Sequence, residues 1–261
     1  MASIIKRNNW QVWKDVIFAL FVREIRTGFN DKFGIAWAVV NPVAFIFILS
    51  FIRGRMDGGE THTIPTFTFI AIGFMLIQFF LEVLGGAASS IKKNKALFAF
   101  RQVQPISSMI ASALFQLIVK IFVFICIGII MYFLGMEVRI DNPIAFLVNI
   151  VLLWSIALSI GCLFALGICY VQETAKIQTI LTRPLFFISG VFFSLQDIPK
   201  EYWHYFDWNP ILHAIELTRY AVYQSYGNSA VSELYLSMFA LISVFIALSC
   251  YFITWKQAIS R

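Results

Sequence analysis

The sequence predicts an all-α integral membrane protein with a single domain, and three observations support this prediction. First, 60% of the 261 residues are hydrophobic and only 13% are charged, whereas a soluble domain carries roughly a quarter of its residues as charged types. Second, six apolar runs each supply roughly the twenty residues that a transmembrane helix needs. Third, lysine and arginine are unequally distributed among the loops that join these runs.

Residues 1–34 are predicted to be a cytoplasmic interfacial segment. Between residues 10 and 25, apolar side chains recur at helical spacing while charged residues occupy other faces of the helix. The run is too short and too interrupted to cross about 30 Å of hydrocarbon, so an amphipathic helix in the interface plane fits better. A helix packed on a soluble partner is the alternative. No secretory signal is expected, because Lys14 and Asp15 interrupt the apolar stretch.

Residues 35–255 are predicted to form a six-helix membrane region. The predicted spans are residues 35–52, 64–88, 107–135, 143–171, 176–195 and 231–255. Glu82 and Lys120 fall inside the second and third spans, and charges at that depth usually face a bundle interior or a watery cavity. Structural pairing and a place on a substrate path are both open for these two residues, and Lys120 can also extend toward the interface.

The distribution of basic residues predicts that both termini are cytoplasmic. The N-terminal segment, the loops 89–106 and 172–183 and the tail 256–261 hold fourteen Lys and Arg against four acids. The opposite loops, taken with Glu233, hold five Lys and Arg against nine acids. Basic residues mark cytoplasmic loops. The formal charge of +6 is therefore attributed to membrane topology, and no nucleic acid partner is expected.

The segment 197–226 lies on the outer side in this topology. Residues 211–223 are apolar enough to enter the membrane but too short to cross it, so we predict a re-entrant pair of short helices broken at Asn209-Pro210. An interfacial belt of aromatic residues explains the Trp and Tyr residues of this segment equally well. It does not explain Glu216 and Arg219, whose i,i+3 spacing allows them to pair on one helix face.

The sequence contains no convincing catalytic, metal-binding or nucleotide-binding motif. A phosphate-binding loop of the form G-x-x-x-x-G-K-[ST] is missing, and His62, His204 and His213 have no partners at metal-ligand spacing. The four cysteines fall inside apolar runs and are expected to be buried thiols.

The loop 89–106 mixes basic residues with apolar ones. A basic loop alone reflects topology, but apolar residues at its centre predict a short helix that docks into a groove of a partner. Packing of its two Phe residues against the membrane is the alternative. The residues expected to make the contact are Lys92, Lys95, Leu97, Phe98, Phe100 and Arg101.

Two stretches of the chain carry distinctive motifs. The first comprises REIRT at residues 23–27, FGIAWA at 33–38 and Asn41-Pro42. The second comprises ISGVFF at residues 188–193, Ile198-Pro199 and NPILHAIELTR at 209–219. In this order they resemble ABC exporter permeases that secrete polysaccharides, in particular the capsular polysaccharide permeases of the KpsM type. Together with the six-span layout, the resemblance covers essentially the whole chain. Residues 28–31 depart from it, since such permeases often carry another basic or aromatic residue there.

The resemblance implies a homodimer in the bacterial inner membrane that exports a lipid-anchored, usually acidic, capsular polysaccharide. Each subunit would bind a separate ATPase subunit, which holds ATP and Mg²⁺, and this chain itself would carry no cofactor. A periplasmic adaptor and an outer-membrane polysaccharide exporter are further expected partners. Loop 89–106 would couple to the ATPase.

With such a substrate, two sets of residues are expected to meet it. Its acidic head group would arrive at the cytoplasmic interface beside Arg23, Arg26 and Lys32, and plain attraction of these residues to anionic lipid is the alternative. The periplasmic gate and glycan path would be formed by Tyr202, Trp203, Tyr205, Trp208, Pro210, His213, Glu216 and Arg219. Sugars present apolar C–H faces that stack on aromatic rings, which suits a sliding polymer.

Three alternatives stay open at this point. The first is an O-antigen or teichoic acid permease of the same architecture, and the second is an exporter of drugs or small lipids. The third, from a different class, is a membrane enzyme that acts on lipid-linked sugars. No carboxylate pair, metal set or nucleophile–base arrangement in the sequence supports the enzyme.

Overall fold

The structure is a computed structural model that describes residues 8–28, 34–100 and 102–260. Eight α-helices dominate these residues: α1 (Asn9–Gly28), α2 (Gly34–Asp57), α3 (Thr66–Lys93), α4 (Pro105–Phe133), α5 (Pro143–Tyr170), α6 (Thr174–Ile188), α7 (Pro210–Val222) and α8 (Glu233–Ser260). The strands β1 (Glu60–Thr61) and β2 (Ile64–Pro65) form an antiparallel hairpin between α2 and α3. Short 3-10 helices lie at Lys95–Ala99, Leu195–Asp197, Lys200–Tyr205 and Gln224–Tyr226.

Among the described residues, five helices are long and apolar enough to cross a membrane. They are Ala36–Met56 within α2, the whole of α3, α4 and α5, and Glu233–Gln257 within α8. Helix α3 is the central one, packing on α2, α4, α5 and α7. Most of its residues are buried, as in a helix surrounded by protein, and Phe69, Met75 and Phe80 on it are almost fully buried.

Close packing between α3 and α5 depends on Gly161. A side chain at this position would place its Cβ 2.7 Å from the Cβ of Ala87 and 2.8 Å from the carbonyl oxygen of Leu84. Small residues at helix contacts let the backbones of membrane helices approach closely. The α3–α5 contact is therefore set by the glycine, and it holds the two most buried spans together.

The predicted fifth span, residues 176–195, differs from the structure. Its helical part is α6, which has 15 residues and is roughly 22 Å long, shorter than the hydrocarbon core of a bilayer. The helix ends at Ile188, and Gly190 follows in the left-handed region with φ +74°. Apolar composition extends past this turn, so it could not reveal where the helix ends. Within the described part of the chain, five helices are therefore long and apolar enough to span a membrane, where the sequence predicted six spans.

The two ends of the bundle are distinct. Helix α7 lies at the end where α3, α5 and α8 begin, and we call this the α7 end. Its last turn accepts hydrogen bonds from the backbone N–H groups of Asp141 and Asn142, just before α5. Helix α1 packs on α4 and approaches the opposite end, where α3 and α5 finish, and we call this the α1 end.

Candidate functional site

The largest fully buried side chain of the α7 end is that of Arg219. Its side chain is 0% exposed, and its Nη1 lies 2.8 Å from Glu216 Oε1 on the same face of α7. Nη2 donates to the carbonyl oxygens of Phe69 (3.1 Å) and Val191 (3.2 Å). The guanidinium carbon also lies 3.4 Å from the centroid of the Phe69 ring, which adds a cation–π contact. Arg219 thus ties α7 to the first turn of α3 and to the chain after α6.

Glu216, whose side chain is 2% exposed, completes this cluster. Its Oε2 accepts hydrogen bonds from Ser194 Oγ (3.1 Å) and Tyr226 Oη (2.8 Å). Burial raises the pKa of Tyr226, which keeps the phenol protonated and able to donate to the carboxylate. A buried charge needs such partners to offset its lost hydration. We call Ser194, Glu216, Arg219 and Tyr226 the α7 cluster.

Local sequence places this cluster. Asn209 caps α7 by accepting from the Ile211 N–H (3.0 Å), and Pro210 occupies the first helical position, where its missing N–H costs nothing. The Asn209 amide also donates to the Ile188 carbonyl (3.3 Å), which links α7 to the end of α6. Gly73 on α3 gives Arg219 its space, since a Cβ there would lie 2.7 Å from Nη2.

His213 fixes the beginning of α7 against the beginning of α8. The Ser232 N–H donates to its Nδ1 (3.1 Å), and its Nε2 lies 2.9 Å from the Asp207 carbonyl oxygen. Because Nδ1 accepts and Nε2 faces an acceptor, the imidazole is neutral with its proton on Nε2. Burial lowers the pKa of His213, in agreement with this assignment. Both ring nitrogens of His213 are therefore used in hydrogen bonds within the chain.

A strained hairpin tip covers the α7 cluster. His62 and Thr63 have φ angles of +47° and +67°, which a β-branched residue such as Thr rarely adopts. Two contacts hold the tip in place: His62 Nε2 lies 2.5 Å from Asp197 Oδ1, and Thr63 Oγ1 donates to Ser225 Oγ (3.0 Å). Burial tends to raise the pKa of Asp197, but hydrogen bonds from the Ser194 N–H and His62 outweigh it and lower that pKa.

The aromatic residues before α7 lie mostly at the surface. Tyr202, Tyr205 and Trp208 are exposed, whereas Trp203 is half-buried and donates its indole N–H to the Ile198 carbonyl (2.9 Å). Trp208 likewise donates to the Tyr205 carbonyl (2.7 Å), which leaves its ring face accessible. Three of the four aromatic rings are therefore exposed at the α7 end, while the α7 cluster is buried within it.

Glu82 and Lys120 meet between α3 and α4. Lys120 Nζ donates to Glu82 Oε1 (2.7 Å) and to Gln78 Oε1 (3.3 Å). The Lys120 side chain is 5% exposed and that of Glu82 is 40% exposed. The pair thus satisfies a buried ammonium group while one carboxylate oxygen stays accessible, as expected for charges held inside a bundle.

At the α1 end, two side-chain contacts join α1 to the end of α3. Arg23 Nη1 donates to Asn94 Oδ1 (2.6 Å), and Lys93 Nζ lies 2.5 Å from Glu24 Oε2. Arg23 was predicted from the sequence to bind substrate, and here it contacts Asn94. Glu24, the buried partner of Lys93, was not identified from the sequence. Arg26 is exposed. Lys32, the third residue of that prediction, lies outside the described residues.

Loop 89–106 forms the 3-10 helix Lys95–Ala99. Phe98 is 9% exposed and packs with Met109, Cys162 and Leu166, so its ring belongs to the core of this chain. Phe100, in contrast, is 65% exposed, and Leu97 is half-buried. Of the three apolar residues expected to contact a partner, Phe100 is thus the one whose ring is free to do so. Arg101 lies outside the described residues.

The buried polar side chains described above hold helices of the bundle together. Within residues 8–28, 34–100 and 102–260, no group of three His, Cys, Asp or Glu side chains is placed to hold a metal ion. The buried charges pair with each other or with backbone carbonyls. Partners such as Ser194, Tyr226 and Asn94 were not found from the sequence, since each is an ordinary polar residue far along the chain from the charge that it contacts.

Long apolar helices around internally paired charges define a multi-pass membrane protein whose polar groups maintain the arrangement of its helices. The model of the ABC-2 type transporter family matches residues 15–223, and the chain belongs to this family of transport proteins.

Several curated proteins are similar over most of their length. The polysialic acid transport protein KpsM of Escherichia coli is 35% identical over 250 residues, which cover 94% of this chain and 95% of that protein. The capsule polysaccharide export inner-membrane protein BexB of Haemophilus influenzae is 24% identical over 88% of this chain and 89% of its own. The corresponding protein CtrC of Neisseria meningitidis serogroup A is 26% identical over 80% of this chain and 79% of its own.

Proposed function

We propose that this chain is the membrane-spanning subunit of an ABC transporter that exports a lipid-anchored capsular polysaccharide across the bacterial inner membrane. The observation that carries the proposal is similarity along nearly the whole chain to proteins named for capsule export, the first of them named for polysialic acid transport. An O-antigen or teichoic acid permease would share the architecture, but none of the relatives reported above is named for either substrate.

The proposed function implies further subunits of the transporter. Two copies of the chain would form the permease, and each would bind a separate ATPase subunit that holds ATP and Mg²⁺. A periplasmic adaptor and an outer-membrane exporter would take over the polymer. The excess of basic residues in the N-terminal segment, loops 89–106 and 172–183 and the tail supports cytoplasmic termini, so the α1 end is cytoplasmic and the α7 end periplasmic.

The α7 end is the proposed gate. In this proposal α6 and the chain after it complete a sixth crossing, and α7 is a re-entrant helix held by the α7 cluster. The carbonyl oxygens of Ile188 and Val191 accept hydrogen bonds from Asn209 and Arg219, which supports this proposal, because irregular backbone at membrane depth needs its polar groups satisfied. The exposed rings of Tyr202, Tyr205 and Trp208, together with half-buried Trp203, would meet the emerging glycan.

The α1 end would receive substrate and couple to the ATPase. Arg26, which is exposed, and Lys32 would attract the acidic end of the substrate. Arg23, whose guanidinium already holds Asn94, would position α1. Phe100 is the proposed apolar contact with the ATPase, and Phe98 supports the loop from beneath.

Capsule at the cell surface tests the function and the gate together. A strain that lacks this chain is complemented with the wild type, or with a variant that carries Ala at Tyr202, Trp203, Tyr205 and Trp208. Export by the wild type and a clear loss in the variant at equal membrane abundance are expected. No capsule from the wild type, with its ATPase present, would refute the proposed substrate.

A matched control separates a glycan path from an interfacial belt. Tyr132 and Phe133, at the end of α4, are also strongly exposed aromatic residues at the α7 end. Replacing both with Ala should leave export unchanged if the rings at residues 202–208 contact glycan. If both variants lose export equally, the aromatic residues act only as a belt at the interface.

A further inference from the structure

A cavity of about 470 Å³ opens at the α1 end of the bundle. It lies between the last turns of α3, the 3-10 helix Lys95–Ala99, the end of α5 and the first turns of α6. This volume is within the usual range of small-molecule sites, about 300–1,000 Å³. The cavity lies apart from the α7 cluster and the Lys120 pair, and it shares Lys92, Lys95 and Phe98 with loop 89–106.

The three lysines of the loop point to different places. Lys92 and Lys95 line the cavity, whereas Lys93 is directed to Glu24 on α1. Membrane topology alone accounts for basic residues at this end of the bundle, but it does not determine where each side chain points. Here Lys92 and Lys95 line one concave site, and Lys93 contacts α1.

Polarity changes along the cavity. Gly85 on α3 lies seven residues before Lys92, or about 10 Å along the helix axis. Gly85, Ala88 and Ala165 make this deeper part small and apolar, while Ser89, Gln172, Gln178 and Thr179 add hydroxyl and amide groups to the wall. A ligand that matches both parts has an anionic end for the lysines and an apolar end for the small residues.

Helix α6 makes the outer wall of the cavity and packs loosely. None of its residues is buried, and its substantial contacts are with α5. Gln178 and Thr179 therefore lie on a helix that has few contacts with helices other than α5. A cavity bounded by such an edge is accessible to a molecule that arrives from the side, within the plane of the membrane.

We propose that this cavity binds the anionic end of an amphiphile, with phosphate or carboxylate oxygens between Lys92 and Lys95 and its apolar part against Gly85 and Ala88. Ammonium–oxyanion hydrogen bonds are the strong contacts in such a site. The identity of the amphiphile rests on the proposed function: if the chain exports a lipid-anchored glycan, the ligand is the lipid-linked end of that substrate. The binding site itself consists of residues of this chain, so its existence does not depend on which amphiphile is exported.

The test measures binding to the detergent-solubilised permease–ATPase complex. The probes are phosphatidic acid and phosphatidylcholine, each with a fluorescent acyl chain, and inorganic phosphate serves as competitor. Tight binding of phosphatidic acid, at least tenfold weaker binding of phosphatidylcholine and no displacement by millimolar phosphate are expected. Displacement by phosphate would instead assign a site for free anions and overturn the amphiphile.

Two variants locate the site. Lys92→Gln with Lys95→Gln should weaken phosphatidic acid binding at least tenfold. Lys176→Gln removes one lysine charge from an exposed residue of α6 that does not line the cavity, and should have no effect. Each single variant, Lys92→Gln and Lys95→Gln, is compared with it charge for charge. Gly85→Leu places a side chain into the cavity at a position where a Cβ meets no atom within 4 Å, and should weaken binding while both lysines remain. Gly54→Leu on α2, also into open space, is its control.

The outcomes separate this inference from the proposed function. Unchanged lipid binding in both cavity variants would overturn the inference, whether or not capsule is exported. Unchanged lipid binding together with loss of ATPase co-purification would assign the lysines to the partner contact and overturn it equally. Failure of the wild type to export capsule would refute the proposed function without altering the binding result.

Discussion

Replacing Arg219 with Met removes the guanidinium from the α7 cluster while keeping an unbranched apolar stem. Glu216, only 2% exposed, then keeps its two hydroxyl donors but loses its cationic partner. The loss of one partner from a buried ion pair costs about 3–5 kcal/mol. The carbonyl oxygens of Phe69 and Val191 also lose a donor, so we expect the upper part of this range.

The assay is unfolding of the purified protein in mixed micelles, followed by tryptophan fluorescence. Glu216→Gln and the double variant Glu216→Gln/Arg219→Met complete a thermodynamic cycle. The double variant should cost roughly 2–3 kcal/mol less than the sum of the single ones, because neither charge is then left alone. Arg139→Met is the control, since its ion pair with Asp141 lies at the surface, where water replaces the partner. Equal costs for Arg219→Met and Arg139→Met would refute the buried-pair reasoning.

Three further predictions concern other parts of the chain. Gly161→Leu should prevent folding, because its side chain would overlap the Leu84 carbonyl; normal yield of a monodisperse protein in detergent would contradict the close α3–α5 contact. The lowered pKa of His213 predicts that its contribution to stability is complete above about pH 6.5 and is lost as pH falls, since a protonated Nδ1 cannot accept from the Ser232 N–H. His213→Gln should therefore show a smaller drop in thermal stability from pH 7 to pH 5 than the wild type, and an equal drop would contradict this. Phe100→Ala should reduce ATPase co-purification without lowering thermal stability, and retained co-purification would place the ATPase contact elsewhere.

The class of protein followed from the sequence because it depends on summed properties. The hydrophobic content and the lengths of the apolar runs predicted membrane helices, and five of the six predicted spans correspond to helices that can cross a membrane. The resemblance carried by residues 23–42 and 188–219 led to the family that the comparisons confirm. Pairing of Glu216 with Arg219 was also predictable, since i,i+3 spacing on one helix brings the two side chains together.

Helix ends were less predictable. Residues 189–193 are as apolar as the helix before them, so composition could not show that α6 stops at Ile188. The stop depends on the turn at Gly190 and on side chains from α7 that bond the carbonyls of Ile188 and Val191. Those partners lie about twenty or more residues away in the chain, beyond the reach of any local pattern.

What the sequence by itself determined is the membrane class, most of the spans and the pairs formed within one helix, because these depend on composition, on run length and on spacings of three or four residues. The tertiary structure alone decided which charges are buried and where each side chain points. Phe98 turned inward while Phe100 stayed exposed, and Lys93 met Glu24 while Lys92 lined a cavity. Neighbouring residues of the same type received different environments because each environment is built by helices that are distant in sequence and adjacent in space.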